Sequence, residues 1–194
     1  PYLGGSSILV GSSYASGNSS SNYNAIDVVG NIDTRQYIGG VAQSTGGNVK
    51  FIAQTNRNAS DATDISTYNG NYSLTTGSGN VTFVQSELSY ANNSHTLTLN
   101  STGTFTVEPI NNYFYNDGAS GTPASVTLSG TTSSGNLTGS GSLSGLVINS
   151  IANLGGLTIG KSSSSTNSTL NVSSAITING AITFYGSNIT FGSG

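Results

Sequence analysis

Short alternations of apolar and polar residues run along the whole chain, and no segment has a convincing helical period. Each alternation holds a few β-branched or aromatic residues bounded by Gly, Asn or Ser, which is typical of strands joined by tight turns. The pattern therefore predicts an all-β protein. The predicted strands lie in 6–11, 25–30, 48–55, 80–86, 95–109, 124–130 and 145–150, followed by several short runs between 156 and 191.

Pairs of apolar residues in an i, i+2 relation return after about twenty residues. Three short strands of about six residues make one winding of this length, which is the arithmetic of a parallel β-helix. The spacing predicts a right-handed parallel β-helix (β-solenoid), with the pairs stacked inside and Thr, Ser and Asn facing water. The recurring pairs are Phe105/Val107, Val126/Leu128 and Leu146/Ile148 at offsets of 21 and 20, Leu157/Ile159 and Ile176/Ile178 at 19, and Leu170/Val172 and Ile189/Phe191 at 19.

Two dipeptides keep a second architecture open for the N-terminal half. Asn-Gly at 69–70 and Asp-Gly at 117–118 are hairpin signals, and antiparallel hairpins build β-sandwiches. A β-sandwich is therefore the alternative there. The domain prediction is a single β-solenoid fragment, residues 1–194, of a longer protein, because the chain begins and ends in mid-pattern; a sub-boundary could fall near 109–123.

Charge is scarce in this chain of 194 residues, of which 6% are charged against about 25% in an ordinary globular protein. The four basic residues are Arg35, Lys50, Arg57 and Lys161, and the net charge is −3. Such a chain has no basic stripe to neutralise phosphates, so nucleic acid is not expected as a partner. No apolar run is long enough for a membrane span, so membrane insertion is not expected either.

The side chains that could carry out catalysis are few and scattered. His95 is the only histidine, cysteine is absent, and the seven carboxylates fall singly except for Asp61 and Asp64. We therefore predict no enzyme activity, no catalytic residue and no cofactor. Asp61 and Asp64 are the best candidates for a cation site, but the calcium-loop pattern is absent, so no metal site is predicted.

Tyrosine supplies the candidate ligand-binding residues. Ten tyrosines are present, and the densest cluster is "NYFY" at 112–115. Tyr113, Tyr115 and Tyr185 could stack on sugar rings, although aromatic stacking inside the fold explains such a cluster equally well. The absence of Cys and Met leaves little to oxidise, which suits an extracellular location.

The segment "SGLVINSIANLGGLTIGKSSSSTNSTLNVSSAITINGAITFYGSNITF" (144–191) resembles a repeat of giant, low-charge surface proteins of Bacteroidota and other environmental bacteria. That repeat has a Leu-Thr-Ile-Gly-Lys phrase, a gap rich in Thr and Asn, and strands ending in Gly-Pro-Ile-Thr-x-Tyr-Gly-Gly-Asn-Ile-Thr. "GTFTVEP" (103–109) is similar to a Phe-Thr-Val-Gln-Pro phrase that precedes it. Ala181 and Ser187 depart from the family's Pro and second Gly. The resemblance covers about ninety C-terminal residues.

This resemblance implies a filamentous-haemagglutinin-like, β-helical adhesin or surface filament, exported to the cell surface in the manner of type IX secretion substrates. The expected function is a structural or adhesive segment of a large secreted surface protein. A carbohydrate-binding module and a self-assembling extracellular filament subunit are the alternatives. The expected partners are neighbouring repeats of the same polypeptide or filament, and surface glycans.

Overall fold

The described part of the protein consists of β-strands and their connections. The computed structural model describes residues 8–13, 26–54, 65–67, 70–85, 95–109, 115–116, 119–123, 125–130, 134–139, 146–149, 151–162 and 169–192. Within these ranges the chain forms twenty strands and one turn of 3-10 helix at Ile151–Asn153, and it contains no α-helix. The prediction of an all-β protein is confirmed for these ranges.

The strands are short, as the sequence pattern predicted. The first ten in chain order are β1 (Ile8–Ser13), β2 (Ile26–Val28), β3 (Ile32–Asp33), β4 (Arg35–Ile38), β5 (Val41–Gly46), β6 (Val49–Gln54), β7 (Ile65–Thr67), β8 (Tyr72–Gly77), β9 (Val81–Gln85) and β10 (Leu97–Ser101). The others are β11 (Thr104–Pro109), β12 (Tyr115–Asn116), β13 (Ala119–Pro123), β14 (Ser125–Gly130), β15 (Ser134–Gly139), β16 (Leu146–Asn149), β17 (Gly156–Ile159), β18 (Thr169–Val172), β19 (Ala181–Phe184) and β20 (Asn188–Phe191).

Most of these strands belong to two large sheets. Sheet I has the order β1-β6-β9-β11-β17-β19, and all of its pairs are parallel. Sheet II has the order β3-β8-β10-β16-β15-β14-β18-β20 and is parallel except where β15 runs antiparallel between β14 and β16. Smaller pairs are formed by β2 with β7, β4 with β5, and β12 with β13.

The strand order shows how the chain moves between the two sheets. From β8 onwards, β8, β10 and β18 in sheet II alternate along the chain with β9, β11, β17 and β19 in sheet I. Parallel neighbours require a crossover connection, which here passes through the other sheet. The long-range pairs of the N-terminal half are parallel, so they do not fit the β-sandwich predicted as the alternative.

The prediction that recurring apolar pairs lie on neighbouring strands is right for one of the four recurrences and wrong for three. Leu170 pairs with Ile189 at the predicted offset of 19. Leu157 instead pairs with Ile182, an offset of 25, whereas Ile176 and Ile178 lie in the connection before β19 and pack against the core from there. The strand pairing also contradicts the stacking predicted from the offsets of 21 and 20. Strand β11 lies beside β9 and β17 and not beside β14, and β14 and β16 are separated by β15.

The interior faces of the strands form one hydrophobic core. Along β9 and β10, buried residues alternate with partly exposed ones, as expected for strands with one buried face. Three phenylalanines stack at its centre: Phe83 lies 5.4 Å from Phe51 with nearly parallel rings, and 5.4 Å from Phe105 in an edge-to-face arrangement. All three are almost completely buried. That the whole chain is one domain, with a sub-boundary near 109–123, stays a prediction.

Glycines and buried hydroxyl groups form the corner through which the chain leaves sheet II for sheet I. A Cβ atom on Gly79 would overlap the carbonyl of Gly47, and one on Gly103 would overlap the carbonyl of Gly79. The Thr76 hydroxyl donates a hydrogen bond to the Gly79 carbonyl at 2.9 Å, and the Ser101 hydroxyl donates to the same carbonyl at 3.1 Å. The corner therefore brings successive backbones into contact and satisfies their polar groups internally.

Candidate functional site

The β4–β5 hairpin forms one wall of the candidate site. Its turn contains Gly39 and Gly40 with φ of 57° and 81°, and positive φ at both central residues is the requirement of a type I′ turn. The hairpin is tied to the corner because the Ser78 amide donates to the Ser44 carbonyl at 2.8 Å. At its base the Thr34 hydroxyl is buried and donates to the carbonyl of Gly47 at 2.8 Å.

A charged network stiffens the first strand of this wall. Arg35 donates from Nε to Asp33 Oδ1 at 3.0 Å and from Nη2 to Asp33 Oδ2 at 2.6 Å, which is a bidentate pair. The Tyr37 hydroxyl donates to Asp33 Oδ2 at 2.8 Å. The three side chains occupy alternate positions and so lie on one side of the extended chain.

The same network fixes the charge state of Asp33. The hydrogen bond from Arg35 is the largest of the effects that lower the pKa of Asp33 from 3.8 to about 2, and burial opposes it. The hydrogen bond to Asp33 raises the pKa of Tyr37 above its usual value of 10.0. Asp33 is therefore ionised at neutral pH and is not placed to act as a proton donor.

The depressed pKa of Asp33 predicts a loss of stability in acid. Because the folded-state pKa lies below the ordinary value, the stabilisation is complete above about pH 4 and disappears as the pH falls towards 2. The side chains of Arg35 and Asp33 are 32% and 27% exposed, so solvent screening should reduce the effect to about 1 kcal/mol. Denaturant unfolding at pH 4 and pH 2 measures it, and Asp33→Asn should remove that part of the pH dependence. Equal pH dependence in the two proteins would contradict this prediction.

A cavity of about 360 Å³ lies between this hairpin and sheet II. Its lining combines the hairpin with the ends of strands in sheet II and the 3-10 turn. Most of the side chains in it are amides and hydroxyls. The lining includes the polar residues Arg35, Gln43, Thr75, Asn100, Asn149 and Asn153.

The floor of the cavity is a column of hydrogen-bonded side chains on neighbouring strands β8, β10 and β16. Asn149 donates from Nδ2 to Asn100 Oδ1 at 2.8 Å, and Asn100 donates from Nδ2 to Thr75 Oγ1 at 3.4 Å. These residues alternate with the buried Leu74, Leu99 and Ile148, so the column lies on the outer face of sheet II. The amides are thus held in fixed orientations while part of their hydrogen-bonding capacity remains.

Tyr185 is the one residue predicted as a sugar platform whose side chain the structure describes. Tyr185 follows β19, is partly exposed and donates its backbone N–H to the Ile159 carbonyl at 2.9 Å, and it does not line the cavity. Tyr113 and the side chain of Tyr115 lie outside the described residues, as do Asp61 and Asp64. Their proposed roles stay predictions.

One signal in the sequence could have located the wall of the site. "YIGGVA" at 37–42 places two short runs around Gly-Gly, which is a hairpin pattern of the type I′ turn. The floor had no comparable signal, because Asn100 and Asn149 are 49 positions apart and become neighbours only through the pairing of β10 with β16.

Neither a metal-binding cluster nor a membrane-spanning helix occurs in the described ranges. They contain no group of three or more His, Cys, Asp or Glu side chains arranged to hold a metal ion. They also contain no helix with the length and hydropathy needed to cross a membrane. Comparison with protein-family models, curated proteins and solved structures found no match for this chain.

Proposed function

We propose that this chain is a structural and adhesive segment of a large secreted cell-surface protein, and that it winds as a right-handed β-solenoid. The observation that carries the proposal is the parallel pairing of strands that the chain adds to sheets I and II in alternation. In such a solenoid, each winding contacts its neighbours and the whole resists bending and extension. Its function then depends on length, rigidity and surface contact.

Side-chain bridges between successive strands support this winding. The backbone N–H of Asn80 donates to Asn48 Oδ1 at 2.8 Å, and the backbone N–H of Thr104 donates to Asn80 Oδ1 at 2.9 Å. On the other sheet, the Thr96 amide donates to Asn71 Oδ1 at 2.8 Å. Asparagine just before a strand therefore holds the start of a neighbouring strand, which favours regular stacking.

The C-terminal edge of the described fold suggests how neighbouring repeats would be joined. Phe191 is 69% exposed and Ile182 is 41% exposed, although both lie on strands of the large sheets. A cavity of about 240 Å³ at this edge is lined mainly by apolar residues, among them Val172, Ile176 and Phe184. Exposed parallel edges favour the addition of further strands. We propose that neighbouring repeats of the same polypeptide or filament cover this edge.

Spin-label distances test the proposed winding. Lys50, Thr82, Thr106, Thr158 and Thr183 follow one another in register across sheet I, and the chain has no native cysteine to interfere. Labels on Lys50→Cys and Thr183→Cys are four strand steps apart, so their backbones should be separated by about 19 Å. Pulsed electron paramagnetic resonance measures this separation.

The control pair, Lys50→Cys with Thr158→Cys, is three steps apart and should give about 14 Å. Distances that do not increase with the number of strand steps would exclude the winding.

For the location of the protein, an antibody against the chain should label intact, non-permeabilised cells. Labelling that requires permeabilised cells would contradict a surface role even if the distances agree.

A further inference from the structure

We propose that the cavity between the β4–β5 hairpin and sheet II binds an uncharged sugar unit of a glycan. The proposal rests on the adhesive function proposed above and gives it a ligand and a site. It assigns the contact to Asn100, Asn149 and Arg35, which all line the cavity.

The hydrogen-bonding groups of the cavity match those of a sugar. Each sugar hydroxyl both donates and accepts, and an amide side chain offers the same two functions. Among the described residues, no hydrogen bond occupies Nη1 of Arg35 or Oδ1 of Asn149. These two atoms belong to residues that line one cavity, and they offer a donor and an acceptor to a ligand.

The site is held in place before any ligand arrives. Asp33 fixes the Arg35 guanidinium through two of its nitrogens, and Asn149 and Asn100 hold each other on adjoining strands. Groups that are already ordered lose less side-chain entropy on binding than free ones.

The charge balance favours a neutral sugar over an acidic one. Among the described residues, Arg35 is the only basic one that lines the cavity, and its charge is compensated by the ionised carboxylate of Asp33. An acidic sugar would therefore meet no uncompensated positive charge. The volume of about 360 Å³ lies at the lower end of the range for ligand pockets, which suits a mono- or disaccharide unit.

Saturation-transfer NMR with the purified chain tests the proposal. The probes are glucose, galactose, mannose, N-acetylglucosamine and cellobiose, with glucuronate as the acidic comparison. We expect at least one neutral sugar to bind with a dissociation constant on the order of 1 mM, and glucuronate to bind more weakly. Asn149→Ala should weaken binding about three- to tenfold, because it removes an acceptor and releases Asn100.

Two further variants separate the site from general effects on the fold. Ala42→Phe places a ring in the cavity from strand β5 and should abolish binding. Asn171→Ala is the matched control, since Asn171 is also an outward amide of sheet II and accepts a hydrogen bond from the Thr190 hydroxyl at 2.6 Å, but it lies outside the cavity. It should bind sugar like the wild type.

The proposal is overturned if every neutral sugar has a dissociation constant well above the millimolar range, if glucuronate binds best, or if Ala42→Phe binds normally. It is also overturned if Asn171→Ala and Asn149→Ala weaken binding equally. The spin-label distances do not depend on any ligand. Correct distances without sugar binding would therefore reject this site and leave the solenoid proposal standing.

Discussion

Replacing Phe83 by Ala is expected to lower the free energy of unfolding by about 4 kcal/mol. The Phe83 side chain is completely buried and contacts the rings of both Phe51 and Phe105 at centroid distances of 5.4 Å. Its removal would lose the burial of a large apolar surface, leave a cavity between three strands of sheet I and end two aromatic contacts. Urea unfolding followed by circular dichroism measures the change.

The same substitution at the surface provides a control for this prediction. Phe191 is 69% exposed, so Phe191→Ala should cost less than about 1 kcal/mol. If both variants lost the same stability, the phenylalanine stack would not be the centre of the core. Unchanged stability in Phe83→Ala would have the same meaning.

Replacing Gly79 by Ala is expected to destabilise the fold by about 3 kcal/mol or more. The added methyl group would overlap the carbonyl of Gly47, which belongs to the backbone and cannot rotate away. Relief would require the backbone segments at this corner to separate, which would also strain the hydrogen bonds that Thr76 and Ser101 donate to the Gly79 carbonyl. Thermal unfolding should show a clearly lower melting temperature.

Gly30→Ala is the matched control, because a Cβ atom at Gly30 has no atom within 4 Å and its φ is not in the left-handed region. This substitution should leave stability unchanged or raise it by about 0.5 kcal/mol through the unfolded state. A Gly79→Ala protein as stable as Gly30→Ala would show that the corner does not need close backbone contact.

The sequence pattern was a good guide to where strands occur and a poor guide to which strands pair. The alternation in 80–86 and 95–109 predicted β9, β10 and β11, because one buried face imposes a period of two. Pairing depends instead on the lengths of the connections, which vary along the chain. For that reason Leu157 pairs with Ile182 at an offset of 25 and not with Ile176, which is also apolar and lies at the predicted offset of 19.

The candidate site was beyond prediction for a related reason. The tyrosines attracted attention because aromatic rings are chemically distinctive, whereas asparagine is common throughout this chain. Asn100 and Asn149 differ from other asparagines only in their neighbours, namely each other and the hairpin wall. That information is contained in the pairing of β10 with β16, and no local pattern encodes it.

The antiparallel strand β15 has a consequence for the shape of the molecule. Between β9 and β17, sheet I contains one strand, whereas between β10 and β18, sheet II contains three. Two additional strands lengthen that side by about 10 Å. Because both sheets pack on the same core, sheet II must extend further along the core than sheet I at this level.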